Sequence, residues 1–444
     1  MVALMACTES SVPELPLVKI QAGPAEALVQ PAIASTTTDV PGVTPQAGPA
    51  EALVQTAITS STTDVPGVTP QDDTDRICNG LLKLGFPYGL SRYVGEEDRA
   101  IGLRVFVLDN SGSTAEVDCT YLETQAKGGF AMVSCSRWEV IKRSAIQHAI
   151  MNARIGIPCE FMLLNPPKRR PGEAYQEGVD FAVVDAFRGD VEEQLLVLEK
   201  MLNRTRLTDR TSLGERLSEV HQRVQQHFSR IAAKGLRYVV VVFTDGLPAC
   251  TDSAESTDNS VKNLVIWELR RLTHEFNCSV VMRIAGRERR VVEYFGRIKN
   301  EQDLDVKVVS DFESEARAMQ HHGNTWLTYS LFLHVVREGG TFSRLLDALK
   351  ERRLEPLEVQ GLTGSLMRLR EDEEPLPRDT TDFFQVVRMR LREEPEVYDP
   401  LRRRMAPCIQ EGQLRSVLQV PWTSLLFRRC WARPGEAWTP LMHS

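Results

Sequence analysis

Short apolar runs rich in β-branched residues alternate with amphipathic stretches between about residues 100 and 335. The run RYVVVVFTDG at residues 237–246 is almost wholly apolar up to its polar end, as expected of a strand covered on both faces. Runs of this kind predict six strands, at Leu103–Asp109, Cys159–Leu164, Phe181–Asp185, Leu236–Thr244, Cys278–Ala285 and Leu304–Val309.

The stretches between these runs have the three- and four-residue spacing of helices with one apolar face. In one of them, Trp138, Ile141, Ala145 and Ala149 recur at that spacing. Strands that alternate with helices predict an α/β fold with a doubly wound, mostly parallel sheet flanked by helices. The predicted helices are Arg137–Asn152, Leu213–Ala233 and Ser260–Phe276.

The two ends of the chain lack this alternation. Residues 21–45 and 46–70 are tandem copies of one sequence, and no aromatic residue precedes Phe86. Two copies are too few to stack as a solenoid, and so few large side chains cannot offset the entropy of ordering. The predicted organisation is a disordered tail over residues 1–75, one domain over 76–335, and an extension of unassigned fold over 336–444, in which 383–391 is a strand or a short helix.

Composition narrows the classes of partner and compartment. A formal net charge of −7 gives no general reason to expect a nucleic acid as partner. No apolar run approaches the roughly 20 residues of a membrane span, and the first ten residues lack the basic start of a signal peptide. The nine cysteines are scattered without a Cys-x-x-Cys pair, so we expect reduced thiols and a cytoplasmic location.

Chemically distinctive side chains follow two of the predicted strands. Asp109, Ser111 and Ser113 follow the first strand, and Asp245 follows the strand that ends at Thr244. Because ligands bind beyond the carboxyl ends of strands in doubly wound sheets, these side chains are expected to lie together. Carboxylate and hydroxyl oxygens are hard ligands that suit Mg²⁺ or Mn²⁺. The same residues could also serve only as turn and cap residues.

These motifs, in this order, resemble the von Willebrand factor type A domain, also called the integrin I-like domain. The metal-ion-dependent adhesion site of that family consists of Asp-x-Ser-x-Ser, a Thr in a later loop and an Asp after a central strand. The sequence LDNSGS matches the first part, and TDG at residues 244–246 matches the last. The resemblance therefore implies a metal site formed by Asp109, Ser111, Ser113, Thr211 and Asp245.

The threonine and the spacing are the less regular parts of the resemblance, which covers roughly residues 101–335. Thr211 in TSLGERL is the best match, Thr208 is the fallback, and either could instead be a helix cap. About two dozen residues, 114–136, precede the first helix, where the family usually needs far fewer. We expect this insertion to lie beside the metal.

The resemblance implies a binding module and not an enzyme. The expected mode is recognition of a protein partner whose exposed Asp or Glu supplies a missing ligand to Mg²⁺ or Mn²⁺. Two alternatives stay open: a Mg²⁺-dependent hydrolase of doubly wound fold, and a scaffold with an empty site. The hydrolase is disfavoured because such enzymes commonly need a second carboxylate two residues after the first, where this chain has Ser111. The sequence leaves the partner and the oligomeric state open.

Overall fold

The computed structural model describes residues 70–125, 129–167, 175–208, 213–247, 258–302, 304–341, 343–367 and 377–420. The predicted tail up to residue 69 and the C-terminal residues 421–444 lie outside these ranges. The strands are β1 (Ile101–Leu108), β2 (Cys119–Thr124), β3 (Phe130–Cys135), β4 (Cys159–Leu163), β5 (Phe181–Val184), β6 (Arg237–Thr244), β7 (Cys278–Ile284), β8 (Val306–Val309), β9 (Val397–Asp399) and β10 (Arg404–Ala406).

Six of these strands form one central sheet, in the order β5-β4-β1-β6-β7-β8. Neighbouring strands are parallel from β4 across to β8, and only the edge strand β5 is antiparallel to its neighbour. The mostly parallel α/β sheet predicted from the sequence is thus confirmed. Each predicted strand is present, with small shifts at its ends.

The helices are α1 (Pro70–Leu82), α2 (Tyr88–Asp98), α3 (Arg137–Ile155), α4 (Val191–Arg204), α5 (Leu213–Ala232), α6 (Asp258–Arg270), α7 (Arg289–Gln302), α8 (Phe312–His321), α9 (Leu331–Glu338), α10 (Arg344–Ala348), α11 (Pro356–Leu366), α12 (Thr380–Arg390) and α13 (Glu411–Val417). The three predicted helices correspond to α3, α5 and α6, and a π-helical turn at Arg271–Glu275 continues the last of them. Residues 70–75, which the sequence assigns to the tail, lie instead in α1. The open choice at residues 383–391 is a helix, α12.

Side chains of β1 alternate between two buried layers. Phe106 and Leu108 pack in the first layer with α1, α2, α3 and α9, whereas Val105 and Val107 pack in the second with α5, α6 and α7. The sheet is therefore covered by helices on both faces, which explains why its central strands are apolar without alternation.

The first layer continues into the C-terminal region. Leu346, Val359, Phe383 and Leu414 belong to the same buried cluster as Phe106 of the central sheet. The helices after residue 340 therefore share one core with the sheet. This packing could not be assigned from the sequence.

The insertion at residues 114–136 forms a hairpin beside α3. The 3₁₀ turn Gly112–Ala115 leads into it, and the antiparallel pair β2–β3 follows. The guanidinium of Arg143 on α3 lies 3.8 Å from the centre of the Tyr121 ring, and the Phe130 ring lies 6.2 Å from that of Tyr398. The hairpin thus packs against α3 and reaches the C-terminal region.

The described cysteines are free thiols, as the sequence predicts: Cys78, Cys119, Cys135, Cys159, Cys278 and Cys408. Burial raises the pKa of the Cys119 thiol to about 12 and that of Cys135 to about 11, so both remain protonated at neutral pH. In the described part of the chain, no helix has the length and apolar character needed to cross a membrane.

Candidate metal centre

Hydrogen bonds of Asn110 and Asp109 fix the position of the loop after β1. The amide Nδ2 of Asn110 donates to the carbonyl of Asn165 at 2.9 Å, and the backbone N–H of Asn165 donates to Oδ1 of Asn110 at 2.8 Å. The backbone N–H of Asp109 donates to the carbonyl of Phe243 at 3.0 Å, which extends the pairing of β1 with β6. These bonds hold the start of the loop between the ends of β4 and β6.

Two carboxylates lie where β1 and β6 end. Oδ1 of Asp109 accepts from the backbone N–H of Ser111 at 2.9 Å, and Oδ2 accepts from the hydroxyl of Thr244 at 2.8 Å. Oδ1 of Asp245 accepts from the hydroxyls of Ser113 at 3.0 Å and Ser111 at 3.4 Å. The structure therefore brings together four of the five residues in the sequence-based metal set.

The structure describes only one of the two threonines that the sequence offers as a ligand. Thr211 lies in the range 209–212, outside the described residues, whereas the fallback Thr208 pairs with Ser111 in a short parallel bridge. The Oγ1 atom of Thr208 is buried and has no hydrogen-bond partner among the described residues. A buried hydroxyl without a partner is costly, so an added cation next to it would be favourable.

Asp109 and Asp245 are buried carboxylates whose negative charges repel each other. Asp109 and Asp245 are both almost wholly buried. Burial, and next the charge of Asp245, raise the pKa of Asp109 to about 6, although the hydrogen bonds from Thr244 and Ser111 act in the opposite direction. A cation between these carboxylates would relieve the repulsion.

Arg137, at the start of α3, is a residue of the site that sequence reasoning missed. Its Nη1 donates to Oδ2 of Asp245 at 3.0 Å. Its Nε and Nη2 donate to the two carboxylate oxygens of Asp118 at 2.9 and 2.7 Å. These bonds lower the pKa of Asp118 and raise that of Arg137, so both groups stay charged.

Two further carboxylates surround the same guanidinium. Glu116 lies 2.6 Å from Nη2 and Glu288 lies 3.6 Å from Nη1 of Arg137. Gly286 makes the close approach possible: its φ is +102°, and a Cβ there would lie 2.7 Å from Nε of Arg137. Among the described residues, the carboxylates of this rim, with Asp109 included, still outnumber the guanidinium groups: Arg137 contacts four of them, and Arg290 lies 3.7 Å from one of the four, Glu288.

One sequence signal pointed to Arg137. Ser136 caps α3, accepting from the backbone N–H of Glu139 at 3.1 Å, so Arg137 is the first residue of the helix. A cation is unfavourable at a helix N-terminus because the helix dipole is positive there. An arginine in that position therefore indicates an acidic partner elsewhere in the fold.

The donor set fits a hard cation. Within the described ranges, no group of three or more His, Cys, Asp and Glu side chains is arranged to hold a metal ion. The candidate set has two carboxylates, Asp109 and Asp245, and otherwise hydroxyls. Such a set suits Mg²⁺ or Mn²⁺, which retain water ligands, and does not suit the closed nitrogen and sulfur sites of zinc.

Comparison with known proteins adds no assignment to this geometry. No family model matches the sequence, and no curated protein matches it. The likeness to type A domains therefore rests on the sequence motifs alone.

Proposed function

We propose that this protein is a type A-like binding module that recognises a protein partner through Mg²⁺ or Mn²⁺. The observation that carries the proposal is the convergence of Asp109, Ser111, Ser113 and Asp245 where two central parallel strands end. The buried hydroxyl of Thr208 beside Ser111, which has no hydrogen-bond partner among the residues the structure describes, supports an additional oxygen ligand.

The residues of this set would have different roles in a metal site. Asp109 and Asp245 provide negative charge, and the hydroxyls provide neutral oxygens. Thr244 holds Asp109 in place through its 2.8 Å hydrogen bond. When bound, the ion would supply a positive centre at which a carboxylate of the partner replaces water. Exposed Ser113 lies at the open side of the set, from which a partner would approach.

The surroundings of the site support a protein as the partner. Val117 is 68% exposed and lies between Glu116 and Asp118, both of which contact Arg137. Leu247 is 43% exposed and follows Asp245 by two residues. These apolar side chains would offer contact area to a protein partner next to the charged set.

One observation favours a second candidate, a scaffold without an ion. Arg137 already contacts Asp245, so a guanidinium could stand in for the metal charge. The surplus of carboxylates over that guanidinium favours the metal-dependent module. This chain has Ser111 where such hydrolases commonly have a second carboxylate, so we propose a binding module and not an enzyme. Free thiols fit a reducing compartment, and we propose a cytoplasmic location.

The test is capture of partners by the full-length protein with Mg²⁺ or Mn²⁺ and with EDTA. Binding is expected to be lost in EDTA and restored by either ion. It is also expected to be lost in Ser111→Ala and Asp245→Ala variants that remain folded by circular dichroism, and on replacing one partner Asp or Glu. A partner that binds equally in EDTA and to folded Asp245→Ala overturns the proposal.

A further inference from the structure

Arg137 lies between the candidate site and the hairpin β2–β3. One edge of its guanidinium faces the site, with Nη1 3.0 Å from Asp245. The other edge faces the start of the insertion, where Asp118 accepts two hydrogen bonds and Glu116 lies 2.6 Å away. Its side chain is only 2% exposed, so these carboxylates and not water determine its orientation.

We infer that Arg137 is a positioning residue that sets the metal affinity of the site, and that Asp118 of the insertion adjusts that affinity through it. The inference rests on the proposed metal site and goes beyond it, because it assigns a regulatory role to the insertion. The side-chain partners of Arg137 in the described part of the chain are carboxylates of Asp245, Glu116, Asp118 and Glu288, and of these only Asp245 belongs to the candidate metal set. Arg137 acts on the ion through Asp245.

The two carboxylate oxygens of Asp245 have different partners. Oδ2 accepts from Arg137, whereas Oδ1 faces Ser111 and Ser113 on the side of the candidate ligands. A bidentate pair with a carboxylate fixes the plane of a guanidinium. Asp118 therefore keeps Arg137 on Oδ2 and leaves Oδ1 available to a cation.

Charge gives the sign of the effect. A guanidinium and a dication on opposite oxygens of one carboxylate repel each other, so Arg137 weakens metal binding. Asp118 offsets the charge of Arg137 and thereby strengthens it. A partner that contacts exposed Val117 and shifts the neighbouring Asp118 changes metal affinity, and by linkage the metal changes affinity for that partner.

The experiment measures Mn²⁺ binding to the full-length protein from the loss of the free Mn²⁺ electron paramagnetic resonance signal at pH 7.5. Arg137→Gln is expected to bind Mn²⁺ roughly tenfold more tightly than wild type, and Asp118→Asn roughly threefold to tenfold more weakly. Melting temperatures in EDTA are expected to fall in both variants, because each loses the same ion pair. Opposite changes in metal affinity with parallel changes in apo stability are the signature of charge tuning.

Arg143→Gln is the matched control. Arg143 lies on the same helix and contacts the hairpin through Tyr121, but its ion pair is with Glu139 and not with the site. Its Mn²⁺ affinity is expected to equal that of wild type. If Arg143→Gln weakens Mn²⁺ binding as much as Asp118→Asn does, the position of the hairpin and not the charge of Arg137 is responsible, and the inference is overturned.

The remaining outcomes separate this inference from the proposed function. Arg137→Gln and Asp118→Asn shifting Mn²⁺ affinity in the same direction, with wild type binding Mn²⁺, overturns the inference alone. Mn²⁺ binding by Arg137→Gln but not by wild type supports the role of Arg137 and overturns the metal-dependent function. If neither Arg137→Gln nor wild type binds Mn²⁺, the inference and the metal-dependent function are both overturned. Should Arg137→Gln not fold, Arg137→Met also removes the charge and is expected to show the same gain in Mn²⁺ affinity, and no gain there contradicts the inference.

Discussion

Two groups of buried carboxylates in this molecule have opposite protonation behaviour. At the carboxyl edge of the sheet, burial and the charge of Asp245 raise the pKa of Asp109 to about 6. On α8, burial also acts to raise the pKa of Glu315, but the positive charges of Arg337 on α9 and of Lys350 outweigh burial and lower that pKa to about 2. Both carboxylates are almost wholly buried, so the difference lies in the cations that the chain supplies.

The chain itself supplies cations to Glu315 on α8 and Glu338 on α9, and we call these two carboxylates with their cations the closed group. Arg337 and Lys350 contact Glu315, while Arg283, His148 and His334 contact Glu338, whose pKa is held well below its ordinary value despite its burial. These pairs join α9 to α3 and β7. Among the described residues, the rim group has more carboxylates than cations, and under the proposed function a metal ion would balance them. Burial of charge thus joins helices in one region and, as we propose, prepares a binding site in the other.

Opening the closed group is expected to have the largest effect on stability. Arg337→Met leaves Glu315 buried with Lys350 as its remaining cation, and breaking a buried pair from one side costs about 3–5 kcal/mol. The free energy of unfolding in urea at pH 7, followed by circular dichroism, measures it. Arg352→Met, which breaks an exposed pair with Glu358, is the control and is expected to leave the midpoint unchanged. Equal losses in both variants contradict the comparison.

The closed group also predicts a pH dependence of known sign. The pKa of Glu315 is lower in the folded protein than in the unfolded chain, so its contribution is complete above about pH 4.5 and is lost as pH falls toward about 2. The difference in unfolding free energy between wild type and Glu315→Gln is expected to be about 3 kcal/mol at pH 7. Urea unfolding at several pH values should show this difference shrinking below pH 4.5. A constant difference would refute the ion-pair account.

The rim group, which we call the open group, consists of Asp109 and Asp245 with their neighbouring hydroxyls. It predicts that an added metal ion stabilises the protein. At ten times Kd, Mg²⁺ or Mn²⁺ is expected to stabilise the native state by about 1.4 kcal/mol, which corresponds to a rise in Tm of about 3–5 °C. Differential scanning calorimetry measures the shift, and Asp109→Asn is expected to abolish it. In EDTA the same substitution removes a buried charge that faces Asp245, so its Tm should equal or exceed that of wild type. An undiminished metal response in Asp109→Asn shows that the ion binds elsewhere.

The smallest expected effect concerns the apolar border of the open group. Val117→Ser is expected to weaken partner binding about threefold to tenfold by removing apolar contact area, with Mn²⁺ affinity unchanged. Leu357→Ser on α11 is the control, since Leu357 is also mostly exposed to solvent, at 80% against 68% for Val117, but belongs to the C-terminal region. Titration of the captured partner against each variant separates the two. Equal weakening by both substitutions means that the binding surface is not confined to the rim.

The accuracy of the sequence predictions followed the range of the interactions involved. The strand at residues 237–244 was predictable because its apolar character is a local property of consecutive residues. Asp109 and Asp245 were predictable as neighbours because parallel strands end at one edge. Arg137 was not, because no rule of sheet geometry places the first residue of a helix against Asp118 and Asp245. Its position at a helix N-terminus indicates an acidic partner without identifying which one.

The sequence by itself determined the six strands, their mostly parallel arrangement and the position of the Asp-x-Ser-x-Ser loop, because side-chain periodicity and loop chemistry are local. Only the tertiary structure decided the order of the strands, the packing of the C-terminal helices on the first layer and the position of the hairpin against α3. It also decided which buried carboxylates receive cations from the chain. Coulombic energies depend on distances between groups far apart in sequence, and those distances exist only after the chain has folded.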